Sequence, residues 1–138
     1  MIEIDADTAV RAMREAVEAK GRDFVYLRPT DEEDGACSYT HLVDGEVVPG
    51  CLVGDALVRL GVPVGKFRDL NINTGEDPWG AMSRLKWDGI LKFSEGAADV
   101  FGEAQRQQDS GIAWGNALAH AEAKLELWRQ QSALNDEI

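Results

Sequence analysis

Cys37-Ser38-Tyr39-Thr40-His41-Leu42-Val43-Asp44-Gly45-Glu46-Val47-Val48-Pro49-Gly50-Cys51-Leu52-Val53-Gly54-Asp55-Ala56-Leu57-Val58-Arg59-Leu60-Gly61 is the stretch on which the fold turns. Its hydrophobic period changes midway. Cys37 to Val43 and Glu46 to Val48 flank Asp44-Gly45, a dipeptide that accepts the positive φ angles of a two-residue hairpin turn. Pro49-Gly50 breaks the strands. From Cys51 to Leu60, Leu52, Val53, Ala56, Leu57 and Leu60 then fall at helical spacing, and Gly61 with Pro63 stops them. This helix is short and mostly apolar, which places it at the centre of the core. Gly54 within it costs about 1 kcal/mol relative to Ala, so it marks the close approach of another backbone.

Working toward the N-terminus, Phe24-Val25-Tyr26-Leu27 is aromatic and β-branched and reads as a strand, ended by Arg28-Pro29. Asp31, Glu32, Glu33 and Asp34 follow, four adjacent acids whose mutual repulsion favours an exposed loop. A helix precedes them. Asp7 is its expected N-cap, Val10, Met13 and Val17 share one face, and Lys20-Gly21 closes it. The hairpin and residues 24–27 together predict a three-stranded antiparallel sheet covered by that first helix.

Toward the C-terminus, Val64 to Trp79 is irregular, and a short helix is expected from about Gly80 to Trp87. Ser94 caps a longer helix whose inner face carries Ala97, Ala98, Phe101, Ala104 and Gln108. After the turn Asp109-Ser110-Gly111, a last helix runs from about Ile112 to Ser132. Trp114, Leu118, Ala121, Leu125 and Trp128 form one stripe along it. The short connection makes these two helices antiparallel neighbours. The prediction is therefore α+β: N-terminal helix, three-stranded antiparallel sheet, central helix and C-terminal antiparallel helical hairpin. Residues 1–138 form one domain, with an α+β core over 1–93 and the hairpin over 94–134.

Composition narrows the function. The chain has 138 residues, of which 44% are hydrophobic and 28% charged, ordinary values for a globular protein. Against 14 basic residues stand 25 acidic ones, a net charge of −11. A direct nucleic-acid binder needs a basic footprint, and an anionic membrane repels such a surface. No apolar run reaches the roughly 18 residues of a membrane span. Met1-Ile2-Glu3-Ile4-Asp5 lacks the layout of a secretory signal, so a cytoplasmic setting is expected. The charge is uneven: residues 1–50 carry −7, residues 51–93 carry +1 and residues 94–138 carry −5.

Candidate chemistry is sparse. Cys37, His41 and Cys51 form the one cluster with metal-ligating or nucleophilic types, but zinc needs a fourth ligand and His120 lies far away on a helix. Cys51 at a helix N-terminus and His41 on the hairpin give a small Cys/His enzyme as one alternative. Asp55 has no second carboxylate for acid–base work and is expected as a surface ion pair with Arg59. Gly61-Val62-Pro63-Val64-Gly65-Lys66 has the wrong spacing for a phosphate loop. No catalytic residue, metal or cofactor is therefore assigned. Four tryptophans exceed what the core requires, and Trp is favoured at interface hot spots. Trp79, Trp87 and Trp128, with the acidic run Asp31, Glu32, Glu33 and Asp34, are the expected partner surface.

Two stretches carry a resemblance: Cys37-x-Tyr39 … Asp44-Gly45 … Pro49-Gly50-Cys51-Leu52-Val53-Gly54-x-x-Leu57-x-x-Leu60-Gly61-Val62, and Ala104-Gln105-x-x-Gln108-Asp109-x-Gly111-x-x-Trp114-x-x-Ala117-Leu118. Both resemble patterns in small uncharacterised proteins of actinobacterial phages and prophages. The resemblance implies a phage origin and the host bacterial cytoplasm, and it transfers no site residues. The expected function is a non-enzymatic accessory protein that binds a host or phage protein, in host takeover or counter-defence. The alternatives are an acidic DNA mimic that inhibits a DNA-binding protein, and the Cys/His enzyme. A homo-oligomer through the C-terminal helices is a further expected association.

Overall fold

The helix α2, Leu52–Arg59, is buried on nearly every side: Leu52, Val53, Gly54, Asp55, Ala56 and Leu57 are six consecutive buried residues. In a computed structural model of the protein, residues 1–27 and 38–136 are described. Around α2 the chain order is β1 (Ile2–Ile4), α1 (Ala6–Lys20), β2 (Thr40–Val43), β3 (Glu46–Pro49), α3 (Lys66–Asp69), α4 (Pro78–Trp87), β4 (Leu91–Phe93), α5 (Glu95–Asp109) and α6 (Trp114–Asp136). One core cluster runs through them from Ile4 to Leu125. An all-round buried helix needs backbone-close neighbours, and Gly54 supplies one. A Cβ built there would lie 2.2 Å from the Tyr39 carbonyl oxygen, well inside van der Waals contact.

The α+β class holds, but the sheet is not three-stranded. β2 and β3 form a two-stranded antiparallel hairpin, with Thr40 opposite Pro49 and Val43 opposite Glu46. Asp44 (φ 52°) and Gly45 (φ 82°) make the expected turn. Residues 24–27 pair with no strand among the described residues. Their neighbourhood serves α6 instead: the Phe24 carbonyl accepts from Trp114 N (2.8 Å) and the Arg22 carbonyl from Gly115 N (2.9 Å). These carbonyls satisfy amides that the first turn of a helix leaves without intrahelical partners. A second strand pair, β1 with β4, is parallel, with Ile2 opposite Leu91 and Ile4 opposite Phe93. The early strand also moves the start of α1. Asp5, not Asp7, is the N-cap, accepting from Thr8 N at 2.8 Å.

The irregular segment before α4 has its own logic. Phe67 of the one-turn α3 is buried and stacks on Tyr39, with centroids 5.4 Å apart and planes 5° from parallel. Asn73 then acts as a side-chain strand: its Oδ1 accepts from Thr40 N (2.8 Å) and its Nδ2 donates to Thr40 O (3.2 Å). Thus the base of the hairpin is pinned while Leu42 and Val43 near its tip stay exposed.

α5 and α6 form the expected helical hairpin. Ser94 caps α5 by accepting from Ala97 N at 3.1 Å. Contacts run in opposite chain order, with Gln108 meeting Trp114 and Asp99 meeting Trp128, so the helices are antiparallel. Trp114, Leu118, Ala121 and Leu125 are buried on one stripe of α6, as their spacing predicts.

Candidate functional site

Of the Cys/His grouping, Cys51 and His41 lie among the described residues. Cys37 lies outside them. Cys51 is wholly buried as the N-cap of α2, its Sγ accepting from Gly54 N at 3.4 Å. His41 is committed to Tyr26: its Nε2 lies 2.8 Å from the Tyr26 hydroxyl and the two rings stack at 5.5 Å. His120 is on the outer side of α6, 3.9 Å from Glu103. Among the described residues no group of three His, Cys, Asp or Glu is placed to hold a metal ion. Asp55 pairs with Arg59 (2.5 Å) as expected, with Arg59 at the surface and Asp55 buried, because the first part of α2 is.

The tryptophans divide. Trp114 is buried, packed edge-on to Phe24 with centroids 4.7 Å apart. Trp128 is part-buried and its Nε1 donates to Asp99 at 3.0 Å, so the α5–α6 hairpin uses it. Trp79 is 51% exposed and Trp87 89% exposed. These two lie eight residues apart on α4, about 12 Å along its axis. The acidic run Asp31, Glu32, Glu33 and Asp34 lies outside the described residues.

Trp79 is held rigidly although half its surface is bare. Asp77 caps α4 by accepting from Gly80 N at 2.7 Å, and Pro78 occupies the first helical position, where its missing N–H costs nothing. The preceding Glu76 carbonyl is fixed by two side chains of the body, the Tyr39 hydroxyl (2.8 Å) and Gln105 Nε2 (3.2 Å). The Trp79 ring stands at 89° to Phe93, 5.6 Å away. Residues 64–79 look irregular in sequence because the donors that anchor them come from β2's flank and from α5.

Beside Trp79 opens a cleft of about 630 Å³ that crosses the outer surface of α5 toward Lys124 of α6. Its floor is small, Ala98 and Gly102 one turn apart, and nothing lies within 4 Å of a Cβ built on Gly102. Asp77, Asp99, Glu103 and Asp109 line it, against Arg106 and Lys124. Arg106 is already paired with Glu103. Asp77 and Asp99 accept hydrogen bonds from neutral donors, the Gly80 amide and the Trp128 indole, and neither forms an ion pair among the described residues. The one sequence signal for this cleft is Gly102 itself, a glycine in the interior of a regular amphipathic helix.

No helix among the described residues is long and apolar enough to cross a membrane. Comparison of the chain with family models, curated proteins and solved structures finds no match.

Proposed function

We propose that this chain is a non-enzymatic, phage-type accessory protein of the host cytoplasm that works by binding a host or phage protein through the outer surface of α4. The observation that carries this reading is the exposure of Trp79 and Trp87 on one rigidly capped helix. An indole buries about 150–250 Å² in a typical contact, so two bare ones forgo several kcal/mol of apolar burial in the isolated chain. A docked partner recovers it, and Trp is among the residue types most enriched at binding hot spots. The same segment is the least acidic of the chain, +1 over residues 51–93, and Lys86 beside Trp87 has no ion partner among the described residues. The phage setting is supported by the two motifs that resemble phage proteins.

A comparative capture from actinobacterial lysate tests the reading. Immobilised wild type retains a partner at moderate salt, and the Trp79→Ala/Trp87→Ala double variant loses it. Equal capture by both, or turnover of a nucleotide or peptide substrate without any partner, rejects it.

A further inference from the structure

We infer that the cleft between the start of α4 and α5 receives a basic segment of the partner, with a Lys or Arg side chain laid against the Trp79 indole and the Asp77 and Asp99 carboxylates. This rests on the protein-binding reading above and specifies the chemistry of what is bound. Several properties of the cleft meet there. Its wall is the best cation-binding ring among the side chains, half exposed and locked in place by the Asp77 cap and by Phe93. Its rim carries two carboxylates whose hydrogen-bond donors are neutral, so a cation entering the cleft meets net negative charge rather than a finished salt bridge.

Its floor has no side chain where Gly102 stands and only a methyl at Ala98, which lets a second backbone approach α5 closely. The helix carries this glycine against its propensity for Ala, and no neighbour within 4 Å forbids a Cβ there. Packing therefore gives no reason for Gly102. An open floor does. From Ala98 to Asp109 the cleft follows α5 for about 17 Å, the length of three turns of a helical ligand or about five residues of an extended one. The charge of the whole chain acts in the same direction, since a −11 protein draws basic segments to it and speeds their encounter.

The test is a selection of random 16-residue peptides, displayed on ribosomes, against the full chain. Enriched peptides are expected to carry Lys or Arg beside small or apolar residues. Their affinity should fall at least tenfold in Gly102→Leu and in Trp79→Ala, and stay within threefold in Gly102→Ala. Gly102→Leu projects a side chain from a position where a Cβ meets nothing within 4 Å, and an undiminished thermal midpoint in that variant shows that binding, not folding, was lost. Enriched peptides that are acidic, or that bind Gly102→Leu as well as wild type, overturn the inference. If such peptides are instead lost in Trp87→Ala, the protein-binding reading stands and the cleft is not its site. No enrichment over bare support overturns both.

Discussion

The Trp114 indole donates its Nε1–H to Gln108 Oε1 at 3.0 Å, and the same oxygen accepts from Leu52 N at 2.8 Å. One buried amide thus joins the start of α2, the end of α5 and the start of α6. Leu52 N is a first-turn amide with no carbonyl four residues behind it, and Trp114 brings the only polar atom of a wholly buried ring. Gln108→Leu keeps the volume but leaves both donors buried and unpaired. Each such group costs about 1–3 kcal/mol, so urea denaturation should show a loss of roughly 2–6 kcal/mol. A loss below about 1 kcal/mol means that water reaches one of the two donors.

Gly54 and Gly102 are both glycines in helices, yet they should respond oppositely to alanine. At Gly54 the new methyl meets the Tyr39 carbonyl at 2.2 Å, and both the helix and the backbone at the start of the hairpin must shift. At Gly102 it meets nothing within 4 Å. Gly54→Ala should therefore lose about 1–3 kcal/mol through overpacking. Gly102→Ala should gain up to about 1 kcal/mol through helix propensity. Thermal melts of the two variants decide it, and equal shifts of the same sign contradict the packing around α2.

The close approach at Gly54 was legible in the sequence, because a glycine amid an apolar helix gives up helix propensity and is retained where a neighbouring backbone leaves no room for a Cβ. The periodic helices and the Asp44-Gly45 hairpin were legible because their signals are likewise local. What failed was tertiary. Phe24-Val25-Tyr26-Leu27 has the composition of a strand, but the carbonyls of Arg22 and Phe24 are taken by the amides of Gly115 and Trp114, some ninety residues away. Ile2–Ile4 and Leu91–Phe93 are three residues each, too short for alternation to register, and they stabilise each other only as a parallel pair. The candidate surface was half legible. Surplus tryptophan pointed to Trp79 and Trp87, whereas Trp128 is engaged by Asp99, and the cleft floor at Ala98 and Gly102 left no signal beyond a lone glycine in α5.

The cap on α1 makes stability depend on acid. Thr8 N donates to Asp5, and this hydrogen bond holds the Asp5 carboxyl below its ordinary value near 3.8. A carboxyl whose folded pKa is depressed contributes stability that is fully present above the unfolded pKa, about 3.9, and is lost as pH falls through the folded value. Asp5→Ala should cost about 1 kcal/mol at pH 7, and the gap to wild type should narrow below about pH 4. Asp5→Ser keeps a neutral acceptor, so the advantage of wild type over it should vanish in acid. Urea melts of the three proteins at neutral pH and at about pH 3 measure this. A gap to alanine that stays constant with pH shows that the capping carboxylate does not titrate with folding.

The division among the tryptophans has a spectroscopic consequence. Trp87 is 89% exposed at the end of α4, whereas Trp114 is wholly buried and touches Phe24. Removing Trp87 discards almost no packing, so Trp87→Ala should change stability by less than about 0.5 kcal/mol. Trp114→Ala opens a large cavity and removes one of the two donors to Gln108 Oε1, and should cost about 3–5 kcal/mol. Quenching by acrylamide separates the emitters: Trp87→Phe should remove most of the accessible, red-shifted component, and Trp114→Phe should remove a shielded, blue-shifted one. If Trp87 instead proves shielded in dilute solution and becomes accessible only on further dilution, a second copy of the chain covers α4. The surface assigned to a host or phage partner would then belong to a homodimer, and the Trp79→Ala/Trp87→Ala variant would be monomeric at concentrations where wild type is not.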